Sequence, residues 1–186
     1  MTRLLVIVDI QNDYFPGGAY PLVGPEAAAE RASVLLAHFR ESGEPIVHVQ
    51  HVWDAPDATF MRPGTPGVEI SDAVAPLADE PVVLKASPNA FLGTDLEHRI
   101  RDASVDDVVI VGMMTSMCVD STVRAAADLG FTVTVAADAC AAPDLEFGGI
   151  RIAGDVVHAA FLAALGDGFA TVTTVDELTE HEYQDH

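Results

Sequence analysis

Three side chains far apart in the sequence, Asp9, Lys85 and Cys118, each sit at or just past the end of an apolar run. Asp9 follows residues 4–8, Lys85 ends the segment 82–85, and Cys118 lies a short, methionine-rich turn beyond 107–111. A carboxylate, an ammonium and a thiol in one place are the working parts of a nucleophilic hydrolase. A thiol attacks a carbonyl as thiolate, and its pKa of about 8.5 falls at a helix N-terminus or beside a cation. Cys118 has the helix start and Lys85 supplies the cation. Asp9 then moves protons, taking one from the thiol and giving it to a leaving amine. The segment 112–118 turns sharply from strand to helix, and its free amides, those of Met114 and Cys118, are placed to hold an oxyanion.

Taken singly, each residue has a blander reading. A strand-end aspartate often caps a turn, a strand-end lysine is usually solvated, and a free cysteine behaves as a small buried hydrophobe. Composition favours Lys85: of nine basic residues eight are arginine, which makes it the only lysine in the chain. Cys140, in the stretch 138–142, has no helix start to activate it and has the weaker claim.

The elements that must position these groups follow from the periodicity. Short β-branched runs at 4–8, 45–51, 82–85, 107–111, 132–136 and 170–173 alternate with helical patterns. The helices are expected at 25–42, 94–103, 116–129 and 155–165, with Pro25 in a first turn, Gly43, Gly130 and Gly166 as stops, and Thr115 or Ser116 as an N-cap. That alternation specifies an α/β protein: a Rossmann-like three-layer α/β/α sandwich around a six-stranded, mostly parallel sheet. In such sheets ligands bind beyond the carboxyl ends of the strands, where strand order reverses. Asp9, Lys85 and Cys118 all fall on that edge. Two long connections, 52–81 and 137–154, are rich in Pro, Gly and Asp, and loops of that length are often functional. The polar tail 176–186 reads as a short helix or a frayed end.

Length and composition fit one domain over residues 1–186, with 49% hydrophobic residues to fill a core. A formal charge of −20 argues against nucleic acid and anionic membrane surfaces as partners. The chain shows neither a membrane-length apolar run nor a secretory signal pattern, and its two cysteines make no disulfide scaffold, so the expected location is cytoplasmic. Metal is not expected: His48 and His51 are an odd number apart on a strand and point to opposite faces. The glycine-rich and nucleophile-elbow motifs GxGxxG, GxxxxGK[ST] and GxSxG are missing, which leaves nucleotide binding and serine hydrolysis without support. Met113, Met114 and Met117 read as packing, and His158 as a core or pocket-wall histidine.

Three ordered segments together resemble the isochorismatase-like hydrolases. They are residues 6–13 with Pro16, Gly17 and Gly18; Lys85 with 88–91 and 93–96; and 112–118 with 119–122 and 124–126. The resemblance spans nearly the whole chain. It implies a catalytic triad falling on Asp9, Lys85 and Cys118, a non-proline cis peptide falling at Met113–Met114, and a homodimer or homotetramer. Relatives of the nicotinamidase kind hold a metal in an Asp-Trp-His stretch after strand two; residues 50–54 read Gln-His-Val-Trp-Asp here, and no cofactor is expected. Residues 113–118 and 138–141 are most similar to a bacterial subgroup that includes streptothricin hydrolase. The implied activity is hydrolysis of a small-molecule amide or lactam through a thioester, with Phe15, His51, Trp53 and Phe91 expected to line the pocket. Two alternatives share the fold: a vinyl-ether hydrolase in which Cys118 is a bystander, and a non-catalytic ligand-binding or thiol-redox module.

Overall fold

The computed structural model describes residues 2–180, so the part of the polar tail beyond Glu180 lies outside the described residues. Six parallel strands form the sheet: β1 (Arg3–Val8), β2 (Ile46–His51), β3 (Val82–Lys85), β4 (Asp107–Met113), β5 (Thr132–Ala141) and, after a hairpin of β6 (Leu145–Phe147) and β7 (Ile150–Ile152), β8 (Thr171–Thr173). Their order is β3-β2-β1-β4-β5-β8, so the chain runs outward from β1 in one direction and from β4 in the other. The reversal therefore falls between β1 and β4. Asp9 follows the first of these strands and the 113–118 turn follows the second.

Both faces of the sheet are covered. Helix α1 (Pro25–Ser42) buries Leu35, Leu36 and Phe39 against one face. Helices α2 (Leu96–Asp102) and α3 (Asp120–Asp128) bury Leu96, Ile100, Val123 and Ala126 on the other. Helix α4 (Gly154–Gly168) and the short α5 (Val175–Glu180) complete the layers. Pro25 opens α1 and Gly43, at φ 71°, closes it as the sequence predicts. Among the described residues no helix is long and apolar enough to cross a membrane.

Three expectations need correction. Gly166 does not stop the last of the predicted helices, since α4 runs through it to Gly168. Residues 137–154 are not one loop, because β5 continues to Ala141 and the β6–β7 hairpin fills most of the rest. Residues 116–129 are not one helix: a π-helical turn, Thr115–Val119, precedes α3, and neither Thr115 nor Ser116 caps it. Thr115 instead meets His158 of α4, Oγ1 to Nδ1 at 2.9 Å, which ties the turn to the outer layer.

Gly112 sets how closely the two central strands approach at the reversal. It pairs with Val8 on one side and Cys140 on the other, beside an irregularity in the β4–β5 register. Its φ is 140°, and a Cβ there would lie 1.9 Å from the Val8 carbonyl oxygen, a backbone atom that cannot rotate away. Gly112→Ala is expected to cost more than about 3 kcal/mol of stability, measured by urea unfolding, because steric overlap and backbone strain act together next to Asp9.

Candidate active site

At the end of β1 the backbone of Asp9 turns into the left-handed region, φ 52°, and its side chain is fully buried. Lys85 closes β3, two strands away, and reaches under β2 so that its Nζ lies 2.7 Å from Asp9 Oδ2. The same ammonium is 3.3 Å from Cys118 Sγ, 2.7 Å from His51 Nδ1 and 3.0 Å from the Ser87 carbonyl oxygen. Three hydrogens thus face four acceptors. The peptide Met113–Met114 is cis, as the resemblance implies, and Cys118 sits within the π-helical turn that follows.

Charge and burial oppose each other here. Burial raises the Asp9 carboxyl above its ordinary range, with Lys85 and Cys118 pulling the other way. Burial also drives the Cys118 thiol well up, Asp9 adds to the rise, and Lys85 offsets only part of it. Burial thus works against the thiolate that the helix start and the lysine favour. The thiol is neutral, and Asp9, with a raised pKa and a place beside it, is suited to accept its proton. His51 is held down to about 4 by burial and then by Lys85, so its imidazole is neutral. Because Nδ1 faces an ammonium it acts as acceptor, which leaves Nε2–H as the ring's donor.

Among the described residues one trio of potential metal donors lies close together, Asp9, His51 and Cys118. The Lys85 ammonium stands within 3.3 Å of all three. It occupies the position a cation needs, so the donor set does not fit a metal ion.

Above Cys118 opens a cavity of about 330 Å³. His51, Trp53, Met114 and Cys118 line it, as expected from the sequence, together with Tyr14, Tyr20, Phe60 and Met117, which were not expected. Two expected wall residues are elsewhere. Phe15 lines a neighbouring surface depression, because the short helix Asn12–Tyr14 turns Tyr14 inward and leaves Phe15 outside. Phe91 stacks on Phe131 at 6.2 Å, within the core on the α3 side of the sheet. Met117 is half exposed at the cavity rather than packed in the core. Cys140 is buried, pushed up to about 12, and donates to the Ala136 carbonyl away from the cavity. His48 is bound to Glu80, far along β2 from this edge.

Two buried side chains hold the loops that form the walls. Gln11 receives the His51 amide and donates to the His51 and Val68 carbonyls, fixing the strand end that carries His51. Asp13 accepts the Met61 amide at 2.6 Å and the Ala19 amide at 3.0 Å, so one carboxylate fastens the segments bearing Phe60 and Tyr20. Gly67 lets this happen, since a Cβ there would fall 2.0 Å from Asp13 Oδ1. Both clasps belong to the segment 6–13 that carried the resemblance, but their partners in the 52–81 loop have no sequence signature.

With this geometry in place, the comparisons with known proteins agree on kinship. Residues 3–177 match the isochorismatase domain, and the chain belongs to that family of hydrolases. It is 45% identical over 176 residues to the isochorismatase family protein YddQ of Bacillus subtilis, covering 95% of this chain and 98% of the relative. A crystal structure of an isochorismatase hydrolase from Oleispira antarctica superposes with a TM-score of 0.92 at 49% identity, over 96% of each chain. Amide-cleaving enzymes are among the relatives. Maleamate amidohydrolase of Pseudomonas putida is 34% identical over 146 residues, 70% of this chain and 68% of its own. Streptothricin hydrolase of Streptomyces noursei is 34% identical over 145 residues, 77% of this chain and 51% of its own.

Two measurements check the site. A raised thiol pKa leaves less thiolate at neutral pH, so alkylation of Cys118 by iodoacetamide is expected to be more than ten-fold slower at pH 7 than that of free cysteine. The rate should keep climbing through the alkaline range, with a Cys118→Ala variant subtracting labelling at Cys140. Asp13→Ala orphans two amides held by a charged acceptor and should cost about 2–3 kcal/mol in urea unfolding, with a red shift of Trp53 emission as the wall loosens.

Proposed function

We propose that the protein hydrolyses the C–N bond of a small amide or lactam through a thioester on Cys118. The observation that carries this reading is the buried Lys85 ammonium behind Cys118, 2.7 Å from Asp9 and 3.3 Å from Cys118 Sγ. The amide-cleaving relatives support it.

In the first step the Asp9 carboxylate takes the Sγ proton as Sγ bonds to the substrate carbonyl carbon, and the carbonyl electron pair moves to oxygen. The amides of Met114 and Cys118, on the cavity lining, hold that oxyanion. Collapse reforms the carbonyl and breaks the C–N bond, and the leaving nitrogen takes the proton from Asp9. A water molecule then gives a proton to Asp9 while its oxygen adds to the thioester. The acid leaves, and the thiol recovers its proton. Lys85 keeps a positive charge beside Asp9 and Sγ throughout, offsetting the negative charge as it passes between Asp9 and the oxyanion. No step draws on a cofactor.

We take the working form to be a cytoplasmic homodimer or homotetramer. Exposed Phe147 and Ile150, paired across the β6–β7 hairpin, offer an apolar patch for a second copy.

Quenching wild-type protein during turnover of an amide panel is expected to show, by intact mass spectrometry, an acyl adduct on Cys118. Cys118→Ala should lose the adduct and at least 10³-fold in rate. Undiminished turnover in that variant would sink the scheme and favour a reading in which Asp9 acts alone.

A further inference from the structure

Among the described residues, none that lines the cavity above Cys118 offers a free positive charge to an acid. The lining is built from aromatic rings, methionines and small residues, and its polar side-chain groups are the His51 imidazole, the Tyr14 and Tyr20 hydroxyls, the Trp53 indole N–H and the Cys118 thiol. Phe60 is the hub: its ring centroid lies 5.0 Å from Tyr20, 5.4 Å from Trp53 in an edge-on arrangement, and 6.1 Å from Tyr14. Such a set of ring faces and edges suits a flat π-system.

Three titratable groups on this lining are uncharged near neutrality. His51 lies at about 4, burial keeps the Cys118 thiol protonated, and Tyr14 is raised well above its ordinary value. Lys85 is spoken for, with its hydrogens facing Asp9, His51, Ser87 and Cys118. Seven of the eight arginines are held in ion pairs with carboxylates away from the cavity. The eighth, Arg62, lines the adjoining depression, which shares only the Phe60 ring with the cavity.

From this arrangement we infer that the cavity selects flat amides without a carboxylate and excludes amides whose body is anionic. A carboxylate entering it leaves water for an apolar wall with no cation to meet it. The net charge of −20 adds repulsion at longer range. A neutral ring loses nothing comparable, and the His51 Nε2–H is a donor for a carbonyl or ring nitrogen on the substrate body. This inference rests on reading the cavity as an amide site. It also separates this chain from its relative the maleamate amidohydrolase, whose named substrate is an acid.

Trp53 is the only tryptophan in the chain and lies in the cavity wall, so its fluorescence reports occupancy. The test titrates the Cys118→Ala variant, which binds without turnover, with benzamide and with 3-carbamoylbenzoate. Benzamide is expected to change Trp53 emission saturably with a Kd at least 100-fold below that of the carboxylated probe. Phe60→Ala in the same background should weaken benzamide at least ten-fold. Equal or tighter binding of 3-carbamoylbenzoate overturns the inference, above all if Arg62→Ala abolishes it. A flat titration with benzamide overturns it as well. Saturable benzamide binding with no adduct in the wild-type protein would instead count against the thioester chemistry and leave the charge preference standing.

Discussion

The ion pair between Asp9 and Lys85 is the contact on which the rest of this site depends. Both side chains are buried, and a buried charge is tolerated only when paired. Removing either partner from such a pair costs about 3–5 kcal/mol, because the other is left stranded. The pair also bridges strands that are not neighbours, β1 and β3, across the end of β2. It therefore constrains three strand ends at once, and His51, which ends β2, is caught between them by its bond to the same ammonium.

A second constraint is the closeness of β1 and β4. Gly112 permits the approach, and the turn that follows delivers Cys118 onto the same ammonium. Thr115 and Thr122 hold the turn and the start of α3, through His158 and through the Ala90 amide respectively. Cys118 is thus positioned from α4 and the segment after β3 as well as from the sheet. The site is assembled at a strand-order reversal by groups that burial keeps rigid, which is where an α/β sheet leaves room for a ligand.

How much of this could be read beforehand depended on the kind of signal. Strand ends follow from where β-branched runs stop, so Asp9 and Lys85 were legible as neighbours, and Cys118 followed from its place after β4. The six strands and their parallel order were legible for the same reason. The aromatic wall was not. Tyr14 and Phe15 are adjacent, and only the short helix at Asn12–Tyr14 decides which of them turns inward. Phe91 is near Lys85 in sequence but is drawn to Phe131 in the core. Phe60 comes from a loop whose course is set by hydrogen bonds to Asp13 and Gln11, and no periodicity encodes those. The rise of the thiol pKa was not legible either, since burial is a property of the whole fold and no local pattern encodes it.

The Lys85 ammonium, shared among a carboxylate, a thiol and an imidazole, has a consequence for how the interior responds during reaction. In the proposed reaction, as a proton passes from Cys118 to Asp9 the negative charge leaves Asp9 for the substrate oxygen on the Cys118 side of the ammonium, while the sum of charges at the site stays the same. To solvent ions beyond the cavity the protein looks nearly unaltered, since only a small dipole has turned beneath the surface. Screening by salt weakens with burial, so this step is insulated from the strongly acidic exterior that surrounds it. The exterior can vary with the ionic conditions of the cell while the relay inside keeps its own electrical balance.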